Sequence, residues 1–97
     1  MDLRKEAKGR NCMIRIPDVC DNDRETVVLC HLNNKTLFGV GTGQKVPDMF
    51  GAWGCWACHD VVDARNTPFM LFPDEIMTMF YEGVFRTQNE LRKEGKL

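Results

Sequence analysis

The sequence predicts a small α+β domain stapled by a metal ion. Three observations carry this expectation: a Cys55-x2-Cys58 pair with Cys12 and Cys20 upstream, one short strand-forming run at 26–32, and a long amphipathic segment from Asp74 to about Lys93. Two thiolates separated by two residues reach one tetrahedral ion from a tight turn, so half a zinc site is present in the pair alone. At 97 residues the chain is one short domain, 1–97, whose core buries a limited share of its surface. A structural zinc, worth on the order of 10 kcal/mol of folding free energy, would offset that shortfall. Five cysteines, an odd number, favour metal ligation with one thiol left over above a disulfide framework.

The segment Trp53-Gly54-Cys55-Trp56-Ala57-Cys58-His59-Asp60 admits two other readings, a c-type haem attachment site and a redox disulfide. Haem attachment needs an exported chain, and residues 1–10 offer neither an apolar stretch nor a cleavage site. No apolar run approaches the roughly 20 residues that span a bilayer, so the protein is read as soluble, with no membrane partner. The net charge of −1 is unevenly spread: residues 1–16 carry +3, residues 17–73 carry −3 and residues 74–97 carry −1. A basic arm beside an acidic middle suits phosphate at one edge and cations at another, although a mixed-charge surface gives the same tally.

In chain order, residues 2–10 have helical composition, with Leu3 and Ala7 four apart and a stop at Gly9. Cys12 to Cys20 reads as a hairpin or loop around a Pro17-Asp18 turn that brings both sulfurs to one ion with Cys55 and Cys58. In the strand 26–32, a period of two sets Leu29 and His31 on one face and Val28 and Cys30 on the other. Cys30 then reads as a small buried hydrophobe, while His31, at the strand end before a polar loop, is placed for chemistry. The Gly39–Pro47 stretch lacks the G-K-[ST] ending of a nucleotide-binding loop, but Lys45 and its free N–H groups can touch a phosphodiester backbone. Trp53 and Trp56 are expected to pack around the metal rather than to serve as base-stacking platforms. A short helix over 59–65 would set His59 and Asp63 one turn apart, able to share a divalent cation. The last helix is expected to be N-capped by Asp74, with Ile76, Met79, Phe80, Gly83, Val84, Gln88 and Leu91 along one stripe.

Taken together, Asp2-Leu3-Arg4-Lys5, Gly9-Arg10-x-Cys12, Arg15-Ile16-Pro17-x-x-Cys20, Val28-Leu29-x-His31, Gly41-Thr42-Gly43, Pro47-Asp48, Cys55-x2-Cys58-His59-Asp60 and Arg86-Thr87-Gln88 extend over nearly the whole chain. As a set they resemble the YbcO-like family of phage and prophage proteins classed as nucleases, and more broadly HNH-type nucleases. The resemblance implies a zinc-stabilised ββα-metal (HNH, treble-clef-like) domain with an added C-terminal helix. It implies that Cys12, Cys20, Cys55 and Cys58 hold structural Zn²⁺, that His31 is the general base, and that His59 ligates a catalytic Mg²⁺ or another divalent cation. Asp48 falls near the pattern's middle Asn and would either orient His31 or ligate metal. Where the pattern has a second metal ligand before its base, this chain has Cys30, a poor partner for a hard cation: either a softer ion is used, or Asp60 or Asp63 compensates, or the site is weakened.

Phosphodiester hydrolysis needs a nucleophilic water, charge neutralisation at phosphorus and a stabilised leaving oxygen. A histidine can take the proton near neutral pH. Arg10, Arg15, Lys45 and Arg65 are candidates to hold the DNA backbone. The expectation is therefore a metal-dependent DNA endonuclease acting in phage or prophage recombination or replication in the bacterial cytoplasm, the biological setting coming from the resemblance. A recombination protein is a candidate partner, and a homodimer could form through Phe69-Met70-Leu71-Phe72 or the last helix. The rival is a catalytically inactive zinc-stabilised module that binds DNA or protein; a redox or metal-sensor protein is a third reading.

Overall fold

Asp2 opens the first helix: its carboxylate accepts the backbone N–H of Arg4 at 3.0 Å, and α1 runs Leu3–Glu6. In the computed structural model, which describes residues 2–31, 39, 41, 46–63 and 71–97, two short strands and two further helices follow. These are β1 (Val28–Cys30), β2 (Ala52–Gly54), α2 (Trp56–Val62) and α3 (Pro73–Lys93). The helical part of 2–10 is thus shorter than its composition suggests. After Glu6 the N–H groups of Ala7, Lys8 and Arg10 bond three residues back, and Gly9 takes φ 77°.

Between Cys12 and Cys20 the chain is a loop without strand pairing of its own elements. The N–H groups of Val19 and Cys20 both donate to the Ile16 carbonyl, closing the turn that contains Pro17 and Asp18. Asp18 and Asn22 sit at φ 62° and 48°, a region where Asp and Asn are tolerated; Arg15, at φ 58°, has no such excuse and is held by its own side chain, whose Nε donates to the Cys12 carbonyl. Ile14 and Ile16 between the cysteines are almost fully buried, which ties the sulfur-bearing loop into the core.

The sheet is a single antiparallel pair, with Val28 opposite Gly54, Leu29 opposite Trp53 and Cys30 opposite Ala52. β1 is shorter than the expected run because Arg24–Thr26 forms a 3-10 turn. β2 answers to the second strand that the ββα resemblance implies, but its place is not marked in the residues: Ala52-Trp53-Gly54 has one residue of high strand propensity. Its small residues answer a packing need. A Cβ on Gly54 would lie 2.6 Å from Ile14 Cδ1 and 2.8 Å from Cys30 Sγ. Met13 N–H donates to the Trp53 carbonyl at 2.7 Å and continues the hydrogen bonding beyond the pair.

α2 begins at Trp56, so Cys58 and His59 lie within it, earlier than the 59–65 expectation. α3 starts with Pro73 and takes Phe72 as N-cap, which corrects the Asp74 cap: proline at the first position has no N–H to satisfy and its φ is preset for helix. α3 packs across β2, burying Ile76, Phe80, Gly83, Val84, Thr87 and Leu91. Thr87, 2% exposed, takes the buried place expected of Gln88. Among the described residues no helix is long and apolar enough to cross a membrane.

Candidate functional site

Cys12, Cys20, Cys55 and Cys58 converge, with their sulfurs all within 4.8 Å of one another, although Cys12 and Cys58 are 46 positions apart in sequence. Cys20 Sγ and Cys55 Sγ are 3.9 Å apart. Four sulfurs on a tetrahedral ion with bonds of about 2.3 Å would be roughly 3.8 Å apart, so a small contraction completes the geometry. The proton chemistry also fits an ion. Cys12 is lowered to about 4, first by the hydrogen bond from Cys58, with help from backbone groups of Arg15, Cys55 and Ile14. Cys58, donating to Cys12, is driven far up, and Cys20 is pushed up to about 11, chiefly by burial. One thiolate forms readily; further ones need a cation. The four cysteines can therefore hold one metal such as zinc. Cys30 is the leftover thiol: fully buried, raised by burial, its Sγ 3.8 Å from the Val28 carbonyl and 4.0 Å from that of Gly54.

Beside the cysteines opens a groove of about 550 Å³, lined by Arg4, Lys8, Glu25, His31, Trp56 and His59 over a floor of Val27, Val28 and Leu29. Both histidines reach it, and each is backed by a carboxylate. His31 Nε2 is 2.7 Å from Asp48 Oδ1, and the other Asp48 oxygen is 3.7 Å from Arg4 Nε. An ionised carboxylate only accepts, so this pairing sets the His31 proton on Nε2 and leaves Nδ1 as the basic atom. His59 Nε2 and Asp63 Oδ2, one turn apart on α2, are 3.0 Å apart. Neighbouring ligands of an octahedral ion with bonds of about 2.1 Å are also roughly 3 Å apart. The structure brings His31 to Asp48 and His59 to Asp63, with both histidines on one groove. Among the described residues, the cysteine cluster is the sole group of three or more converging metal-ligand side chains.

The remaining sequence candidates lie elsewhere. The Arg10 guanidinium is held by both oxygens of Glu94 and by Glu6, and stands 4.4 Å over the Trp53 ring. Arg15 curls back onto Cys12 and Met13. Lys45, Arg65, Phe69 and Met70 lie outside the described residues. Trp53 is buried, but Trp56, the first residue of α2, is 62% exposed and lines the groove, which corrects the expectation that both pack around the metal. Sequence reasoning misses Arg4 and Lys8 as groove residues and gives Trp56 a packing role instead. Arg4 and Lys8 are four residues apart in the basic arm, and that spacing was the available signal.

The sequence pattern of the family described as "Putative nuclease YbcO" matches residues 1–96. The chain belongs to the YbcO family. Its relatives include the "Putative nuclease YbcO" of Escherichia coli (strain K12), 45% identical over 94 residues that cover 97% of this chain and 94% of that protein. The "Putative nuclease ybcO" of Enterobacteria phage 82 matches with the same identity and coverage. A solved structure described as "Structure of a putative bacteriophage protein from Escherichia coli str. K-12 substr. MG1655" covers 97% of this chain and 100% of its own, at 35% identity and a TM-score of 0.78. The YbcO family thus includes bacterial and phage proteins of nearly this length, and the fold described above is similar to one already solved.

Proposed function

We propose that this YbcO-family chain is a metal-dependent DNA endonuclease of the HNH type, with residues 1–97 forming one ββα-metal domain and a C-terminal helix. The observation that carries the reading is that His31 and His59 line one groove, each paired with a carboxylate. In this reading Cys12, Cys20, Cys55 and Cys58 hold structural zinc and pin the 12–20 loop to α2. His59 and Asp63 hold Mg²⁺ or another divalent ion, leaving its other positions to water and phosphate, as a hard cation prefers. When bound, that ion supplies charge neutralisation on the phosphoryl and leaving oxygens.

The chain's own residues do the rest. Asp48 orients His31, and His31 Nδ1 takes the proton of the attacking water. Arg4 restrains Asp48 and, with Lys8, faces the phosphates from α1 and its following turn. Lys45 and Arg65 extend the basic contacts, while Arg10 and Arg15, the latter bonded back to Cys12 and Met13, act through the positions of α1 and the 12–20 loop. DNA, in phage or prophage recombination or replication within the bacterial cytoplasm, is the substrate this reading assigns.

One observation favours the rival, a zinc-stabilised binding module. Cys30, at the position of the HNH second ligand, is turned into the core and cannot help hold a cation in the groove. Cleavage of supercoiled plasmid and circular single-stranded DNA with Mg²⁺, Mn²⁺ or chelator separates the two. The nuclease reading expects metal-dependent cutting that falls about 10²- to 10⁴-fold in a folded His31→Ala variant. DNA binding with retained zinc and no cutting under any metal would favour the module.

A further inference from the structure

Trp56 is a large apolar ring left 62% exposed on the groove wall, three residues after a tryptophan that is 1% exposed. Its backbone is fixed on both sides: its N–H donates to Thr26 Oγ1 at 3.2 Å, and the preceding Cys55 belongs to the sulfur cluster. A ring on so rigid a backbone loses little freedom when something stacks on it. The same groove is lined by Arg4 and Lys8, which supply positive charge, and by Glu25, while Asp48 Oδ2 stands 3.7 Å from Arg4 Nε and offsets part of that arginine's charge. That balance suits the phosphates of one strand better than the two closely spaced strands of a duplex. A base inside a duplex has both faces covered by its neighbours and cannot offer one to Trp56; an unpaired base can.

We propose that the groove binds an unpaired nucleotide of DNA, with the base stacked on Trp56 and the flanking phosphates held by Arg4 and Lys8. This rests on the nuclease reading and names its substrate class: single strands, flaps or splayed junctions with an unpaired base beside the phosphate at His31 and His59.

The test is fluorescence titration without added divalent cation, using three probes: an oligo(dT) of about a dozen nucleotides, the same strand with abasic positions, and a blunt duplex. Trp53 is buried, so the responsive signal belongs to Trp56. Quenching by the base-bearing strand, weak response to the abasic one, and binding of oligo(dT) about tenfold weaker in Trp56→Ala support the platform, the loss being of the size measured for aromatic stacking. Trp56→Phe, which keeps a ring, should recover part of that binding. Equal binding of base-bearing and abasic strands by the wild-type protein would overturn the proposal without recourse to any variant, as would a duplex that binds as tightly as the single strand. Parallel cleavage assays with Mg²⁺ and Mn²⁺ keep the two ideas apart: cutting with a silent Trp56 removes the platform alone, and a responsive Trp56 without cutting removes the nuclease alone.

Discussion

The guanidinium of Arg10 lies over the Trp53 ring and directs its hydrogen bonds to Glu6 and Glu94, while Lys96 joins the same two carboxylates at 2.6 and 3.0 Å. Four charges from the two ends of the chain thus form one alternating cluster, and desolvation over the ring strengthens the arginine's share. Glu94 is held down to about 2, first by the Arg10 hydrogen bond and then by Lys96. A carboxyl depressed in the folded state stabilises it fully above its unfolded value, near 4.5, and that contribution disappears as the pH falls toward 2. Glu94→Gln should therefore lower the melting temperature at pH 7, and the gap to wild type should close between pH 4.5 and 2. Thermal unfolding of both proteins, followed from pH 7 down through 4.5 for as long as the transition stays cooperative, checks it: the gap should be constant above 4.5 and narrow below it.

At the scale of elements, α3 clamps three separate segments with three consecutive side chains. Arg86 donates to the Met13 carbonyl at 2.8 Å, Thr87 Oγ1 accepts the Trp53 N–H at 3.0 Å, and Gln88 donates to the Met49 carbonyl at 2.7 Å. Thr87→Val keeps the shape but strands a buried N–H, which should cost about 1–3 kcal/mol in denaturant unfolding. The α3 stripe was legible in the sequence because apolar residues recur at helical spacing, and Gly83 marks where the helix comes closest: a Cβ there would meet Ile14 Cα and the Met13 carbonyl at 3.1 Å. β2 was not legible, since its glycine and alanine serve close packing against Ile14 and Cys30 and carry no strand signal. The site divides the same way. His59 and Asp63 follow from a helical interval, and the four cysteines from ligand chemistry. His31 and Asp48 are 17 positions apart, so nothing in local spacing pairs them; the family resemblance put both near the chemistry but left the role of Asp48 open. Arg4, Lys8 and Trp56 meet only because α1 folds back against β1.

On the scale of the molecule, the cysteine cluster joins the 12–20 loop to the start of α2, and the buried Ile14 and Ile16 between its first two ligands carry the core with it. Stripping zinc with a strong chelator should abolish the near-UV circular dichroism and the cooperative unfolding transition, and stoichiometric zinc should restore both, as expected when metal binding contributes on the order of 10 kcal/mol to folding. Retention of a native spectrum in a verified metal-free protein would refute that dependence. The same stretch that carries two of the clustered cysteines also furnishes the groove: Cys55 and Cys58 form one row at an interval of three, Trp56 and His59 a second row at the same interval, displaced by a single residue. One residue of helix is about 100° of rotation. Scaffold and working surface are thus cut on one screw thread, and an inserted or deleted residue between Cys55 and Cys58 would throw both out of phase at once.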